Sequence, residues 1–404
     1  MNREKDRDVN RDVNRDVDRG VNRDVILAVE RANEAAPDSV PLDRLAAHVA
    51  RLSDLYTVDR HALAREQASP EHLAAKCGYF LASDAPKVVL ALEEAAARSR
   101  AFAELASLDR VRVVDLGAGV GATTCGFIAW LAGRRARLGV RRPISVEIHA
   151  VELGAPAARA LERSARAAAL AAGVDLALVV EARDFRGYAL PATDLILCQT
   201  ALNELLPPDG ADPAHRPETV AMVAGWAAHA PLLVIEPALR TTTRALMALR
   251  DALLAAGAAH AVAPCLHQKP CPMRAKPDDW CHEARRVEPT PRVAAIDRIV
   301  GRRDGRALFA YLATVPTAAA SQPLVPETSI RIVTDPLGSR GKTERVVCRA
   351  DGELRLMRLL DREQRPGNAL FVESQRGLAA TVNPMPANDR IGPEVAVTPL
   401  PEAT

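Results

Sequence analysis

The chain has 404 residues and an apolar fraction of 48%, enough for two or three domains with a substantial core. Lys and Arg number 53 against 51 Asp and Glu, a net charge of +2 that excludes a globally basic nucleic-acid-binding surface and leaves such a partner to local patches. No stretch approaches the ~18 uninterrupted apolar residues of a membrane span. The N-terminus is charged where a signal peptide would be apolar, and seven cysteines are an odd number for a disulfide framework. A cytoplasmic protein is expected, with no membrane and no DNA partner.

Residues 1–24 repeat an Asn-Arg-Asp-Val unit, with clean copies starting at Asn10, Asn14 and Asn22. So little apolar surface cannot order the segment, and a disordered tail is expected. Over 25–108 apolar residues recur at helical spacing, as in Leu42, Leu45, Ala46, Val49 and Leu52, which predicts a helical N-terminal domain. Ser69-Pro70-Glu71 supplies a capping hydroxyl, a proline at the first helical position and a first-turn acid. Pro86, inside the apolar pattern of 79–92, should kink or restart its helix.

From 109 to 316 short apolar strands alternate with helices. The run 111–114 leads into Asp115-Leu-Gly-Ala-Gly-Val-Gly121, and a helix opens near Ala122. Gly117, Gly119 and Gly121 let the backbone approach a ligand, and the helix start presents unpaired N–H groups. A simple tight turn has the same pattern. Strands over 146–151, 176–180 and 195–198 are followed by Glu152, Asp184 and Asn203-Glu204. In a dinucleotide-binding domain the ribose acid lies about 20 residues past the glycines. Glu152 is farther on, and the basic segment Gly133 to Arg142 accounts for the delay. A helix over 217–229, a strand over 232–235, a helix over 241–256 and an antiparallel pair, 260–265 and 307–314, complete the sheet.

This order of strands and acids resembles a class I S-adenosylmethionine-dependent methyltransferase, an α/β Rossmann-like fold. The resemblance implies cofactor binding by Asp115, Gly117, Gly119, Gly121 and Glu152, with Asp184 beside the adenine. Asn203 and Glu204, just past the fourth strand, are candidate catalytic residues. The amide could hold a base edge and the carboxylate could accept a proton; helix capping would use the same residue types.

The segment 265–306 is an insertion, containing Cys265-Leu-His-Gln-Lys-Pro-Cys271 and Cys281 in a C-x5-C-x9-C spacing. Thiolates ligate zinc or iron–sulfur clusters, and this spacing is wider than the loops of structural zinc sites. His267 and His282 keep a Cys3His zinc site open. Arg285, Arg286, Arg292, Arg298, Arg302, Arg303 and Arg306 make a basic patch of the kind that meets phosphates. A linker over 317–328 leads to a small β-domain over 329–382, with turns expected at Pro336-Leu-Gly338 and Asp351-Gly352. Gly341-Lys342-Thr343 lacks the upstream glycine of a phosphate loop, since Pro336 stands there, and reads as a turn. The proline-rich segment 383–404 is expected to be loose.

Ala263-Pro264-Cys265, Asp279-Trp-Cys-His282, Leu202-Asn-Glu-Leu205, the segment 79–87 and Val347-Cys-Arg-Ala-Asp-Gly352 together resemble the Rsm family of methyltransferase-like small-ribosomal-subunit proteins, over roughly 73–360. The resemblance implies a [4Fe–4S] cluster ligated by Cys265, Cys271, Cys281 and Cys348, and action on the small ribosomal subunit or its rRNA. Leu266 departs from the family's usual proline, Arg302 to Arg306 replaces an acidic stretch, and the C-terminal pattern fades after Arg365. The expected function is an S-adenosylmethionine-dependent rRNA methyltransferase. The alternatives are a non-catalytic small-subunit assembly factor and a zinc-stabilised RNA-binding module.

Overall fold

A computed structural model describes residues 23–57, 69–206, 216–302, 305–319 and 325–400. Residues 1–22 of the repeat tail lie outside the described residues, while its last two already belong to helix α1 (Arg23–Glu34). Asp24 in the first turn complements the helix dipole, and Val25, Ile26 and Val29 are buried. Helix α2 (Leu42–Thr57) follows. Ser69 then caps α3 (Pro70–Ala75), its hydroxyl accepting from the His72 N–H at 3.1 Å.

Pro86 does not restart its helix: α4 (Leu81–Arg98) continues through it, after a π-turn over Lys76–Phe80. Proline removes one backbone bond, and burial of Ala82, Ala85, Val88, Val89 and Leu92 on both sides of it outweighs that loss. The short α5 (Arg100–Glu104) leads to the central sheet.

That sheet is built from β1 (Arg110–Leu116), β2 (Ser145–Glu152), β3 (Asp175–Ala182), β4 (Leu195–Gln199), β5 (Leu232–Pro237), β6 (Ala259–Ala263), β7 (Glu283–Arg286) and β8 (Arg306–Pro316). Its order is β3-β2-β1-β4-β5-β8-β6, with β7 pairing the opening half of β8. Strands β1 to β5 are parallel, and β8 runs antiparallel to β5 and β6. The core is therefore the mixed α/β, Rossmann-like sheet of class I methyltransferases. The connecting helices are α6 (Ala122–Arg137), α7 (Ala155–Ala172), α8 (Pro217–His229), α9 (Arg240–Ala255) and α10 (Pro291–Val300).

The N-terminal helices are not a separate lobe. Helix α1 packs on α7, α4 on α6 and α2 on α10, within one apolar core that includes β1 and β2. The basic segment 133–142 also has a structural task. Arg134 and Arg137 pair with Glu93, Arg135 donates to the carbonyls of Ala106 and Leu108, and Arg142 pairs with Asp109 at 2.8 Å.

A second sheet holds β9 (Ser329–Ile332), β10 (Leu337–Ser339), β11 (Lys342–Arg349), β12 (Leu354–Leu360), β13 (Ala379–Asn383), β14 (Arg390–Ile391) and β15 (Ala396–Pro399), with α11 (Leu370–Glu373) between β12 and β13. The order is β14-β12-β11-β9-β13-β15, with β10 beside β11. The segment expected to be loose after Asn383 thus supplies two strands, because Ile391, Val395 and Val397 bury into this sheet's core. Its prolines fit, since Pro399 sits on an outermost strand that needs no further donor. The Asp351-Gly352 turn is where expected, at φ +83° for Gly352, whereas the earlier turn falls at Gly341 (φ +81°) and Leu337–Ser339 is strand.

Candidate cofactor and metal sites

Register places the ends of β1, β2 and β4 on one edge: Leu116 lies opposite Val151, Glu152 opposite Ala182, and Gln199 opposite Ile235. The glycine loop, Glu152, Asp184, Asn203 and Glu236 all emerge there, where the strand order reverses between β1 and β4. Gly117, Gly119 and Gly121 have φ of +71°, +55° and +97°, the left-handed region that favours glycine. Val151 O accepts from the N–H groups of Gly117 and Ala118 at 2.9 and 3.1 Å. Glu152 accepts from Gly119 N–H at 2.9 Å and from Gly154 N–H at 2.8 Å, so its carboxylate ties the two loops together. A Cβ on Gly117 would come within 2.5 Å of Ala201, while one on Gly119 would meet no atom within 4 Å. Gly119 therefore borders open space.

Asp115 is fully buried, and one oxygen accepts from Thr124 Oγ1 at 2.7 Å. Burial pushes its pKa up to about 7, against the pull of the Thr124 hydroxyl and with help from the Glu152 charge. Its other oxygen has no partner among the described residues. Asp184 is half-buried at the edge, and its carboxylate accepts from the Arg186 guanidinium at 2.7 Å and from the Arg186 backbone N–H at 2.8 Å, which lowers its pKa. Leu153, directly after Glu152, is 72% exposed. Sequence reading missed it, although an apolar residue following a strand-end acid was a usable signal.

Asn203 Nδ2 donates to Glu236 at 2.7 Å, and its backbone N–H donates to the same carboxylate at 3.2 Å. Glu236 is 1% exposed and ends β5. A carboxylate only accepts, so this contact fixes which end of the amide faces it. Glu204 is exposed beside it. Thr200, between β4 and this pair, holds φ +55°, a strained value for a β-branched residue.

Cys265 follows β6, Cys281 precedes β7, and Cys348 comes from β11 in the other sheet. All four cysteines, Cys271 included, line one cavity of about 50 Å³ together with His267, Arg250 and Arg331. Cys348 Sγ lies 3.4 Å from His267 Nε2, and the Gly352 turn abuts Lys269. Burial and then neighbouring thiols raise the pKa values of Cys271 and Cys348; burial pushes Cys281 up to about 12 against the pull of Arg331. Among the described residues no set of three or more His, Cys, Asp or Glu side chains is grouped to hold a single metal ion.

Helix α9 anchors the cysteine loop through residues that sequence reading passed over. Arg244 donates to the carbonyls of Lys276 and Asp279, both at 2.7 Å, and Arg250 donates to those of His267 and Lys269. Asp251 accepts from the Cys271 N–H at 3.0 Å and from Arg274 at 2.9 Å. A second missed device joins the sheets: Arg331 of β9, 2% exposed, pairs with Glu94 and Glu283, and Arg285 pairs with the same two acids.

That network corrects the expected basic patch. Arg285 is consumed in it, Arg292 pairs with Glu34, Arg306 with Asp335, and Arg302 donates to Tyr79 and Ser53. Arg303 lies outside the described residues. The charge that looked like a phosphate surface is largely spent holding helices and sheets together.

Solved structures with a similar course include a candidate class I S-adenosylmethionine-dependent methyltransferase from Listeria monocytogenes, at 9% identity, covering 73% of this chain and 88% of that one with a TM-score of 0.35. A candidate methyltransferase from Burkholderia thailandensis, bound to S-adenosylhomocysteine, is 14% identical and covers 70% and 98% with a TM-score of 0.33. An S-adenosylmethionine-dependent methyltransferase from Thiobacillus denitrificans, also with S-adenosylhomocysteine, is 14% identical and covers 53% and 88% with a TM-score of 0.22. Such scores describe loose likeness, and the fold assignment rests on strand order. No curated protein matches the chain. The model of the family described as mitochondrial small ribosomal subunit Rsm22 matches residues 86–370, well over half of the chain. Spanning both the glycine-loop core and Cys348, this match shows that the chain belongs to the mitochondrial small ribosomal subunit Rsm22 family.

Proposed function

We propose that the chain binds S-adenosylmethionine at the glycine loop and methylates the rRNA of the small ribosomal subunit. The observation that carries this reading is the convergence at one sheet edge of Gly119, bordering open space, with Glu152 and the Asn203-Glu204 pair. The cofactor supplies an electrophilic methyl group. The loop and the α6 N-terminus offer close backbone approach and N–H donors. Each Glu152 oxygen uses one lone pair on a loop N–H, so the carboxylate can also accept from ribose hydroxyls. Leu153 offers an apolar surface beside them, with Asp184 near the adenine. Asn203, braced by Glu236, orients the nucleophile, and Glu204 accepts its proton.

The four-cysteine cavity is read as the seat of a [4Fe–4S] cluster ligated by Cys265, Cys271, Cys281 and Cys348. The donor set fits, since four thiols line one largely apolar cavity. The role is structural: Cys348 belongs to the second sheet, so cluster binding would add to the docking energy of the two sheets.

A non-catalytic assembly factor is the second reading, favoured by the hold of Glu236 on the Asn203 amide. Comparing small-subunit rRNA modifications in cells with the gene, without it, and with Gly119→Val separates the two. Loss of one methyl mark in both altered strains is expected. An unchanged methylation pattern with impaired subunit assembly would favour the assembly factor. The chain should co-sediment with small subunits; co-sedimentation with large subunits alone would contradict the partner.

A further inference from the structure

Three guanidinium groups grip the backbone on either side of the cysteines. Arg331 donates to Pro264 O at 3.1 Å, immediately before Cys265. Arg250 donates to the carbonyls of His267 and Lys269, between Cys265 and Cys271. Arg376 donates to Trp280 O at 3.0 Å and His282 O at 3.1 Å, bracketing Cys281. Arg250 and Arg331 are 3% and 2% exposed and line the cavity itself. Burying a guanidinium is costly unless charge is returned to it. Arg331 has two acids and Arg250 has Asp251, but Arg376, half-buried, makes no ion pair among the described residues.

We propose that Arg250, Arg331 and Arg376 form a collar around the ligand backbone in which Arg376, whose charge no acid returns, compensates the negative charge of a four-thiolate iron–sulfur cluster and raises its reduction potential. This rests on the cluster reading above. A cubane with four thiolates is anionic and becomes more so when reduced, so nearby fixed positive charge favours the reduced state. The apolar lining formed by Leu246, Met247, Leu312 and Val333 pulls the other way, so the fixed charge at Arg376 acts against it.

Arg376 is the position to test, because it carries charge without bridging the acids between the sheets. Full-length protein is reconstituted anaerobically with iron and sulfide and titrated with dithionite, following the reduced cluster by electron paramagnetic resonance. Arg376→Gln should retain iron and sulfide with a more negative midpoint potential, and Arg376→Lys should recover most of the shift. An unchanged midpoint in Arg376→Gln overturns the collar while leaving the cluster intact. If Arg376→Gln sheds the cluster, retention in Arg376→Lys supports the role of charge, whereas loss in both assigns Arg376 to backbone support and overturns it. Wild-type protein that takes up neither iron nor sulfide overturns the cluster reading and the collar together.

Discussion

Around the glycine loop the partners are close in sequence or share one sheet edge: Asp115 meets Thr124, and Glu152 meets Gly119 and Gly154. The cysteine cavity is assembled differently, from a loop after β6, the approach to β7 and a strand of the second sheet, held by arginines on α9, β9 and the segment before β13. The first site is built within one sheet. The second exists only when two sheets dock, so it reports on the tertiary structure.

The largest break in this contrast should come from Cys348→Ser. Metal and sulfide analysis of anaerobically prepared protein should show loss of both, with faster proteolysis of the C-terminal sheet, while Cys77→Ser in the π-turn changes neither. One zinc and no sulfide, unaffected by Cys348→Ser, would contradict the cluster and its role as a tie.

Glu94→Gln attacks the same interface without touching a thiol. Burial raises the Glu94 pKa, yet Arg331 and Arg285 bring it down to about 2. Its folded value lies below the ordinary 4.5, so the stability it lends is present above pH 4.5 and is lost as pH falls towards 2. Removing it leaves the buried Arg331 and the half-buried Arg285 with one acid, and denaturant unfolding near neutral pH should show a loss of about 3–5 kcal/mol. A change below about 0.5 kcal/mol, the size of an ordinary surface substitution, would mean the network holds nothing.

In the N-terminal helices the weak point is His72, 5% exposed, with neither ring nitrogen partnered among the described residues. Burial, with Lys76 nearby, lowers its pKa from 6.5 to about 4. The depressed value means that protonation opposes folding: stability is complete above pH 6.5 and declines towards pH 4, by up to about 3 kcal/mol. His72→Phe should flatten this part of the acid profile in thermal melts; an unaltered slope would assign it to other groups. Thr124→Val is the smallest change, removing one hydrogen bond to Asp115 at a cost of about 1 kcal/mol. Its signature would be weaker cofactor binding with the iron and sulfide content unmoved.

What could be read from the chain follows the same divide. Asp115 to Gly121, the strand-end acids and the helix over 217–229 were legible because apolar periodicity and glycine spacing are local signals. The fate of the arginines was not. Nothing near Arg285 in sequence says that Glu94 will stand beside it, so paired charge looked like a free patch. Arg250 and Asp251 likewise sat in an ordinary helical pattern, and only the fold shows them turned to the cysteine loop. Ile391, Val395 and Val397 were apolar enough to announce strands, but the surrounding prolines masked them. The second-sheet partner of the cysteine loop was legible only through family resemblance, since a lone cysteine after two valines also suits a core strand.

The central claim, that the glycine loop is a nucleoside-cofactor site, is tested most directly by calorimetric titration of cluster-reconstituted protein with S-adenosylmethionine. Gly119 combines φ +55° with open space at its Cβ, so Gly119→Val strains the loop and places a branched side chain where the ligand would lie. The account predicts saturable binding by the wild type and none by Gly119→Val, with iron and sulfide content equal in both. No binding by the wild type, or equal binding by the two proteins, would contradict it.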